Sequence, residues 1–439
     1  MNISFTSHSK YSSWLYPILL ILGVLAVYFP VLGHDFQYQW DDQWIVMNHY
    51  TEGGFNLQNL WAILTGFHGG QYAPLNETLS LILYTAFGYE PFWFHLASLL
   101  LHAANACLVY VCISRLLEIS KQFEIKRRHT VAFFTALLFA VHPFNVEPVA
   151  WISASKILVY SFYYLLATCA FLSFLKQGKL KYYFLTLFLF VCSFLGKEQA
   201  VTFPLWMLLI YWLAGCNFRE KKIWFAVSPF LVLAFVFGII TILSQSGIAD
   251  KTGFTVWQRL VYACYAFTEY VLKSVFPFKL SYLYPFPSYP GEPLPQWLLI
   301  YPLLLAVLLF AFWKQIVTYK IWLFSLLFFV IHITVALHLI SLSRFTVVAD
   351  RYAYLATVGV CFIAAYCGVF SVRSWKGCQK AILIPALAAY LLYFGVYANY
   401  RSRAWYDSDT LKREVLDLRK EKVGVETNGV MNLLRHFHR

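Results

Sequence analysis

Two adjacent carboxylates, Asp41 and Asp42, follow Trp40 in a stretch, residues 35–90, that contains neither lysine nor arginine. Neighbouring like charges raise at least one pKa, and partial burial raises it further. A carboxylate in that state can take the proton of an attacking hydroxyl, or it can hold a divalent ion. A solvated acidic loop is the plainer reading of the same residues. Cations that could face these carboxylates come from three places. Lys156 lies inside an apolar run, where an ammonium is costly unless it meets an anion or reaches water; an internal ion pair and a phosphate ligand both satisfy it. Gly196, Lys197, Glu198 and Gln199 interrupt two apolar runs, and Lys197 and Glu198 either neutralise each other or face a ligand. Ser343, Arg344 and Phe345 precede Asp350, Arg351 and Tyr352, and guanidinium forks match phosphate oxygens. His142 and Glu147 sit in a proline-marked corner just before Lys156. His95, Ser98, His102 and Asn105 share one helix face by their spacing. Helix–helix hydrogen bonding accounts for the deeper members, and His95 is the one expected near a site. Carboxylates on one wall of a cavity and cations on another suit a polyanionic, lipid-borne substrate.

The elements that must hold these residues are membrane helices. Of the 439 residues 60% are hydrophobic and only 13% charged, about half the charged share of soluble domains. Long apolar runs recur, many near the roughly 20 residues that cross a bilayer; they are apolar all round, which favours helices over a spanning barrel. The expected fold is an all-α polytopic membrane protein with about eleven spans, near 14–34, 91–114, 129–142, 149–173, 180–195, 199–215, 222–245, 297–313, 319–341, 352–371 and 379–399. The first is expected to be a retained anchor, because a cleavage motif is missing after it. Residues 257–276, broken by Glu269 and Lys273, read as a half-embedded helix. Basic clusters at 115–128, 176–181, 219–222, 314–320 and 373–380 then fall on one side together with the N-terminus, and the positive-inside rule makes that side cytoplasmic. External loops 35–90, with surface helices near 57–65 and 75–87, and 246–296 complete a transmembrane unit over 1–400, followed by an external tail, 401–439. The charge of +13 is explained by topology-setting loops, so nucleic acid is not an expected partner. Nine cysteines are scattered without a CxxC pair and read as packing residues.

A set of short motifs carries a resemblance to a known family. They run Tyr38–Gln39–Trp40–Asp41–Asp42 with Asn48 downstream, Tyr72–Ala73–Pro74–Leu75, Phe94–His95–Leu96, Leu101–His102–Ala103–Ala104–Asn105, His142–Pro143 with Val146–Glu147 and Val149–Ala150–Trp151–Ile152–Ser153, then Gly196–Lys197–Glu198, Ala349–Asp350–Arg351–Tyr352–Ala353–Tyr354–Leu355 and Arg401–Ser402–Arg403–Ala404–Trp405–Tyr406–Asp407. In this order the chain resembles the membrane half of the transmembrane and tetratricopeptide-repeat O-mannosyltransferases and their bacterial relatives, which have the GT-C glycosyltransferase fold. The resemblance implies a sugar donor carried on a polyprenyl or dolichyl phosphate, a membrane location (bacterial inner membrane, with the active face periplasmic) and an acidic pair supplying the catalytic base. Carried over by position, Asp41 is the base and Asp42 its orienting neighbour, and the reaction is an inverting single displacement onto a hydroxyl, expected on Ser or Thr of extracytoplasmic proteins. No obligatory metal is expected, since lysine and arginine can hold the leaving phosphate. The chain departs from the family at Ala73, where arginine is common, and at Ile157, where an acidic residue is. The repeats are not seen, so acceptor capture is expected to fall to the external loops or a partner protein.

Three other readings remain open on sequence. The same donor chemistry can serve lipid A, another glycolipid or a surface polysaccharide. A transporter of lipid-linked sugars also needs many helices and buried charge, though an inverted repeat is missing and the charges gather on one face. A scaffold without activity leaves the paired aspartates without a task.

Overall fold

The computed structural model describes residues 12–123, 127–249, 253–288, 290–339, 346–374 and 377–423. The chain opens with α1 (Ser12–Tyr28), ended by the proline-containing turn Phe29–Gly33. The first long loop then holds four helices: α2 (Asp42–Ile45), α3 (His49–Glu52), α4 (Leu57–Thr65) and α5 (Pro74–Phe87). Asn48 and Asn56 cap α3 and α4 by accepting from backbone N–H groups two or three residues on, which satisfies donors that a short helix leaves bare. Next come α6 (Pro91–Ile119), α7 (Arg128–Ala140), α8 (Val146–Ala150), α9 (Lys156–Gln177), α10 (Leu180–Gly196), α11 (Phe203–Leu213) and α12 (Lys221–Ala249). The second half has α13 (Val256–Val275), α14 (Ile300–Thr318), α15 (Lys320–Ile333), α16 (Thr357–Ser374), α17 (Cys378–Ser402) and α18 (Ser408–Val423). A small antiparallel pair, β1 (Tyr284–Pro285) and β2 (Thr346–Val348), sets Tyr284 opposite Val348.

Helices occupy each of the eleven stretches expected to span, but among the described residues seven are long and apolar enough to cross a membrane, and eight if a bent pair is one span. That pair is α7 and the segment Pro143–Ala150, bent by 50° where His142–Pro143 stops the hydrogen-bond ladder. The helices Leu180–Gly196 and Lys320–Ala336 are apolar but shorter, and α11 is cut back by the turn Glu198–Thr202 and by Pro204. The stretch expected at 319–341 falls short because its helix gives way to the turn Thr334–Ala336; the other three have a common source. Polar corners at 141–155 and 197–202 consume residues that hydropathy alone assigns to helices. The helix α13 is not among the candidate spans, and its Thr255–Gln258 capping box and Glu269–Lys273 pair mark an amphipathic helix.

The core runs through α6, α7, α9, α11 and α16, with Ala106, Ala132, Ala136, Ile157, Phe171, Met207 and Phe362 fully buried. In contrast, α12, α14 and α17 bury little, and Phe310 and Trp313 of α14 stand outward. Apolar side chains on the outside of a bundle that packs tightly within are those of a lipid-facing surface. One close approach positions the site. A Cβ at Gly196 would lie 2.8 Å from the backbone N of Tyr160, so α10 meets α9 backbone to backbone there, joined by Ser193 Oγ donating to the Tyr160 carbonyl at 2.9 Å. The next residue, Lys197, is thereby set beside Lys156 at the start of α9.

Candidate active site

The acidic pair divides by environment. Gln37 is buried; its N–H donates to Asp42 Oδ2 at 2.7 Å and its side-chain amide donates to the Trp405 carbonyl at 2.7 Å. Ser153 gives Asp42 Oδ1 both its N–H, at 2.9 Å, and its hydroxyl. Asp42 thus ties the first loop to the corner before α9. Burial pushes its carboxyl up, opposed by the bonds from Ser153 and Gln37. Asp41 stands at the N-cap of α2 but makes no capping bond with its side chain, and its carboxylate lines an open cleft instead. Burial pushes its pKa up to about 6, Lys156 and Arg351 pull it down, and Asp42 adds to the rise.

That cleft is open to solvent and is lined by Asp41, Gln71, Trp151, Lys156, Lys197, Glu198, Arg351 and Tyr352 among others. Arg351 is held by Glu147, which accepts its guanidinium and, at 3.0 Å, its backbone N–H. The guanidinium also lies 5.2 Å from the ring centre of Trp151 and 4.8 Å from that of Tyr352, and Trp151 stacks on Trp405 at 5.3 Å. Lys197 pairs loosely with Glu198 at 3.5 Å and sits 5.6 Å from the Tyr352 ring. Lys156 donates to the side-chain oxygen of Gln71, a neutral amide, and among the described residues it joins no salt bridge. A buried cation without a carboxylate partner costs free energy, and an anion arriving in the cleft would recover it. Lys156, Lys197 and Arg351 stand against Asp41, Glu198 and Glu147, the last bound to Arg351, so Lys156 is the cation that a phosphate can meet without displacing a salt-bridge partner.

Six sequence-chosen residues therefore share the cleft: Asp41, Lys156, Lys197, Glu198, Arg351 and Tyr352. Glu147 supports it through Arg351. Asp42 lies behind it. Asp350 is elsewhere, in a fully buried pair with Arg401 at 2.8 Å that joins the turn Asp350–Ala353 to the end of α17; burial pushes its pKa up to about 6, against the pull of Arg401. His142 accepts the Phe144 N–H at 3.1 Å and its other nitrogen meets the Ser274 carbonyl at 2.9 Å, fixing the corner to α13. His95 is buried beside His34, ring centres 5.8 Å apart, and does not line the cleft. Arg344 lies outside the described residues. Sequence reasoning missed Gln71, Gly69, Gly70 and Gln245 in the lining. Gly69 and Gly70 have φ of 55° and 67°, the left-handed pair of a two-residue hairpin turn, and His68 and Gln71 bridge across it. The Gly–Gly dipeptide was the available signal for that turn. For Gln245 it was an amide inside an otherwise apolar run. Among the described residues no three His, Cys, Asp or Glu side chains gather as a metal site.

Comparison with known proteins gives a partial relationship. No family model matches the chain. Human protein O-mannosyl-transferase TMTC1 is 29% identical over 205 residues, which is 42% of this chain and 22% of that protein. Drosophila melanogaster protein O-mannosyl-transferase Tmtc3 is 28% identical over 221 residues, 43% of this chain and 22% of that protein. Human protein O-mannosyl-transferase TMTC4 is 25% identical over 203 residues, 42% of this chain and 27% of that protein. The match thus takes in about a fifth to a quarter of each relative's length. All three are animal proteins and lend no support to the expected bacterial type or bacterial inner membrane. Over rather less than half its length, this many-helix membrane chain is similar to animal protein O-mannosyl-transferases.

Proposed function

We propose that this chain is a glycosyltransferase that moves a sugar from a polyprenyl-phosphate donor to a hydroxyl, with Ser or Thr of proteins as acceptor. The observation that carries this reading is the cleft itself, whose lining brings the Asp41 carboxylate together with Lys156, Lys197 and Arg351. Asp41 takes the acceptor's proton as its oxygen bonds to the anomeric carbon. The bond from that carbon to the phosphate oxygen breaks on the opposite side, so the configuration inverts. The leaving polyprenyl phosphate gains the negative charge, and the three cations stabilise it as it develops. Asp41 then returns the proton to water. Glu147, Trp151 and Tyr352 hold Arg351 in place beforehand, which preorganises the charge. Because protein cations do this work, turnover is expected to survive a chelator.

The names of the relatives favour a protein acceptor, and nothing in the cleft selects one against a glycolipid. The test uses purified full chain with a polyprenyl-phosphate hexose labelled in the sugar, offered a Ser/Thr-rich peptide and a glycolipid together. Label on the peptide, in the anomeric configuration opposite to the donor's, supports the reading. Label on the glycolipid alone moves the acceptor. Donor binding with no transfer to either would favour a carrier of lipid-linked sugars.

A further inference from the structure

Next to the cleft lies a second compartment, closed down to about the room of a single water molecule and lined by Ile45, Tyr50, His68, Gln71, Asn76, Glu77 and Lys156 among others. Gln71 and Lys156 belong to both walls, so their hydrogen bond stands at the boundary. Its polar groups are held in place from behind. Asn48 donates to Glu77 Oε2 at 3.1 Å and to the Ile45 carbonyl at 2.9 Å. Ser155 donates to Asn76 Oδ1 at 3.0 Å. His68 meets the Trp44 carbonyl at 2.7 Å. Glu77 is buried, and its Oε1 accepts no hydrogen bond among the described residues. None of these groups has a task in the transfer step.

The lining is of the kind that recognises a neutral ring bearing hydroxyls. A carboxylate accepts from hydroxyls, an amide both donates and accepts, and the imidazole does either. Apolar Ile45 and Ile63 and the ring of Tyr50 offer faces for C–H groups. A phosphate would be repelled by Glu77, whereas the adjoining cleft is cationic. The two compartments thus separate by charge, and the junction lies at Lys156.

We propose that this compartment is the subsite for the donor's sugar ring, with Glu77, Asn76 and His68 reading its hydroxyls and the phosphate lying on Lys156 in the adjoining cleft. This rests on the glycosyl-transfer reading given above. The compartment is narrow while Lys156 holds Gln71. When the phosphate takes Lys156, Gln71 is released and, on its two-glycine turn, swings aside to admit the ring.

The experiment measures binding of two lipids to the full chain in nanodiscs: a polyprenyl phosphate without sugar, and the same lipid bearing a hexose. Wild type should prefer the sugar-bearing lipid. Glu77→Gln should weaken that lipid by about tenfold or more, the cost of a lost hydrogen bond to a charged group, and leave the sugar-free lipid unchanged. If Glu77→Gln does not fold, Glu77→Asp keeps the charge, withdraws the carboxylate and should show a smaller loss confined to the same lipid. Equal affinity of wild type for the two lipids, or an equal loss for both in the variants, overturns the subsite while leaving the glycosyl-transfer reading standing. Failure of wild type to bind either lipid overturns both.

Discussion

Asp41 and Asp42 are one peptide bond apart and have different surroundings, an open cleft for one and buried donors for the other. Asp42 accepts from Gln37 and Ser153, so Asp42→Asn replaces an acceptor with a donor facing two donors. We expect it to lower stability by about 2–3 kcal/mol, read as thermal denaturation in detergent, whatever it does to turnover. Asp41→Asn should do the reverse. The folded carboxyl titrates near 6 against an ordinary 3.8, so the fold favours the protonated form. That preference is fully present below about pH 4 and lost as pH rises through 6. Asparagine at 41 should therefore stabilise the protein at pH 7 by about 1–3 kcal/mol, with the gap closing below about pH 4. The same titration sets activity: kcat/KM should fall on the acid side with an apparent pKa near 6, and an acid limb near 4 would argue against Asp41 as the base. At this scale the sequence showed that the two aspartates should differ, because successive residues project differently. It could not show that Asp350 pairs with Arg401, since the partner stands far along the chain and looks like any helix-end arginine. Lys156 and Lys197 were legible as misfits in apolar runs; Gln71 was not, because a glutamine in a polar loop is unremarkable until Lys156 is found against it.

The elements bring these residues together through broken helices. The corner at 141–155 delivers Glu147, Trp151, Ser153 and Lys156, and the break after α10 delivers Lys197 and Glu198. Gly196 is the hinge of that arrangement. In Gly196→Val the new atoms would meet the backbone of Tyr160 at 2.8–2.9 Å, and backbone cannot swing away as a side chain can. The two helices must separate, at about 1–3 kcal/mol, and Lys197 moves with them. We expect lower thermal stability together with weaker binding of polyprenyl phosphate; loss of stability with unchanged binding would detach Lys197 from the donor. Arg351→Ala should weaken donor binding and spare the fold more than Asp350→Ala, which leaves Arg401 buried and unpaired. Hydropathy located the long apolar helices, because a run of apolar residues is needed wherever a helix meets lipid or core; it passed over the polar α18, which stands where only a tail was expected. It overcounted full spans where His142–Pro143, Gly196–Lys197 and the turn Thr334–Ala336 shorten helices whose flanks remain apolar.

Over the whole molecule, the candidate site gathers on the side that carries the first long loop, and the basic clusters that predict the cytoplasmic side lie at the other ends of the same helices. A cysteine introduced at Leu57, which is 84% exposed, should react with a membrane-impermeant maleimide from outside, and one at Lys179 only after permeabilisation; the opposite pattern would invert the topology. The tail contributes to the same end. Asp35 N–H donates to the Tyr406 carbonyl at 2.9 Å, Gln39 N–H to Ser408 Oγ at 3.1 Å, and Trp405 stacks on Trp151, so the segment after α17 fixes the loop that ends in Asp41. In the proposed reaction Asp41 is the base and the cations hold the donor. The most direct measurement takes purified wild type and Asp41→Asn, and reads donor affinity and sugar transfer on the same preparations. Asp41→Asn should bind the donor within about twofold of wild type and transfer the sugar about two to four orders of magnitude more slowly. Transfer near the wild-type rate in Asp41→Asn, with donor still bound, would contradict it.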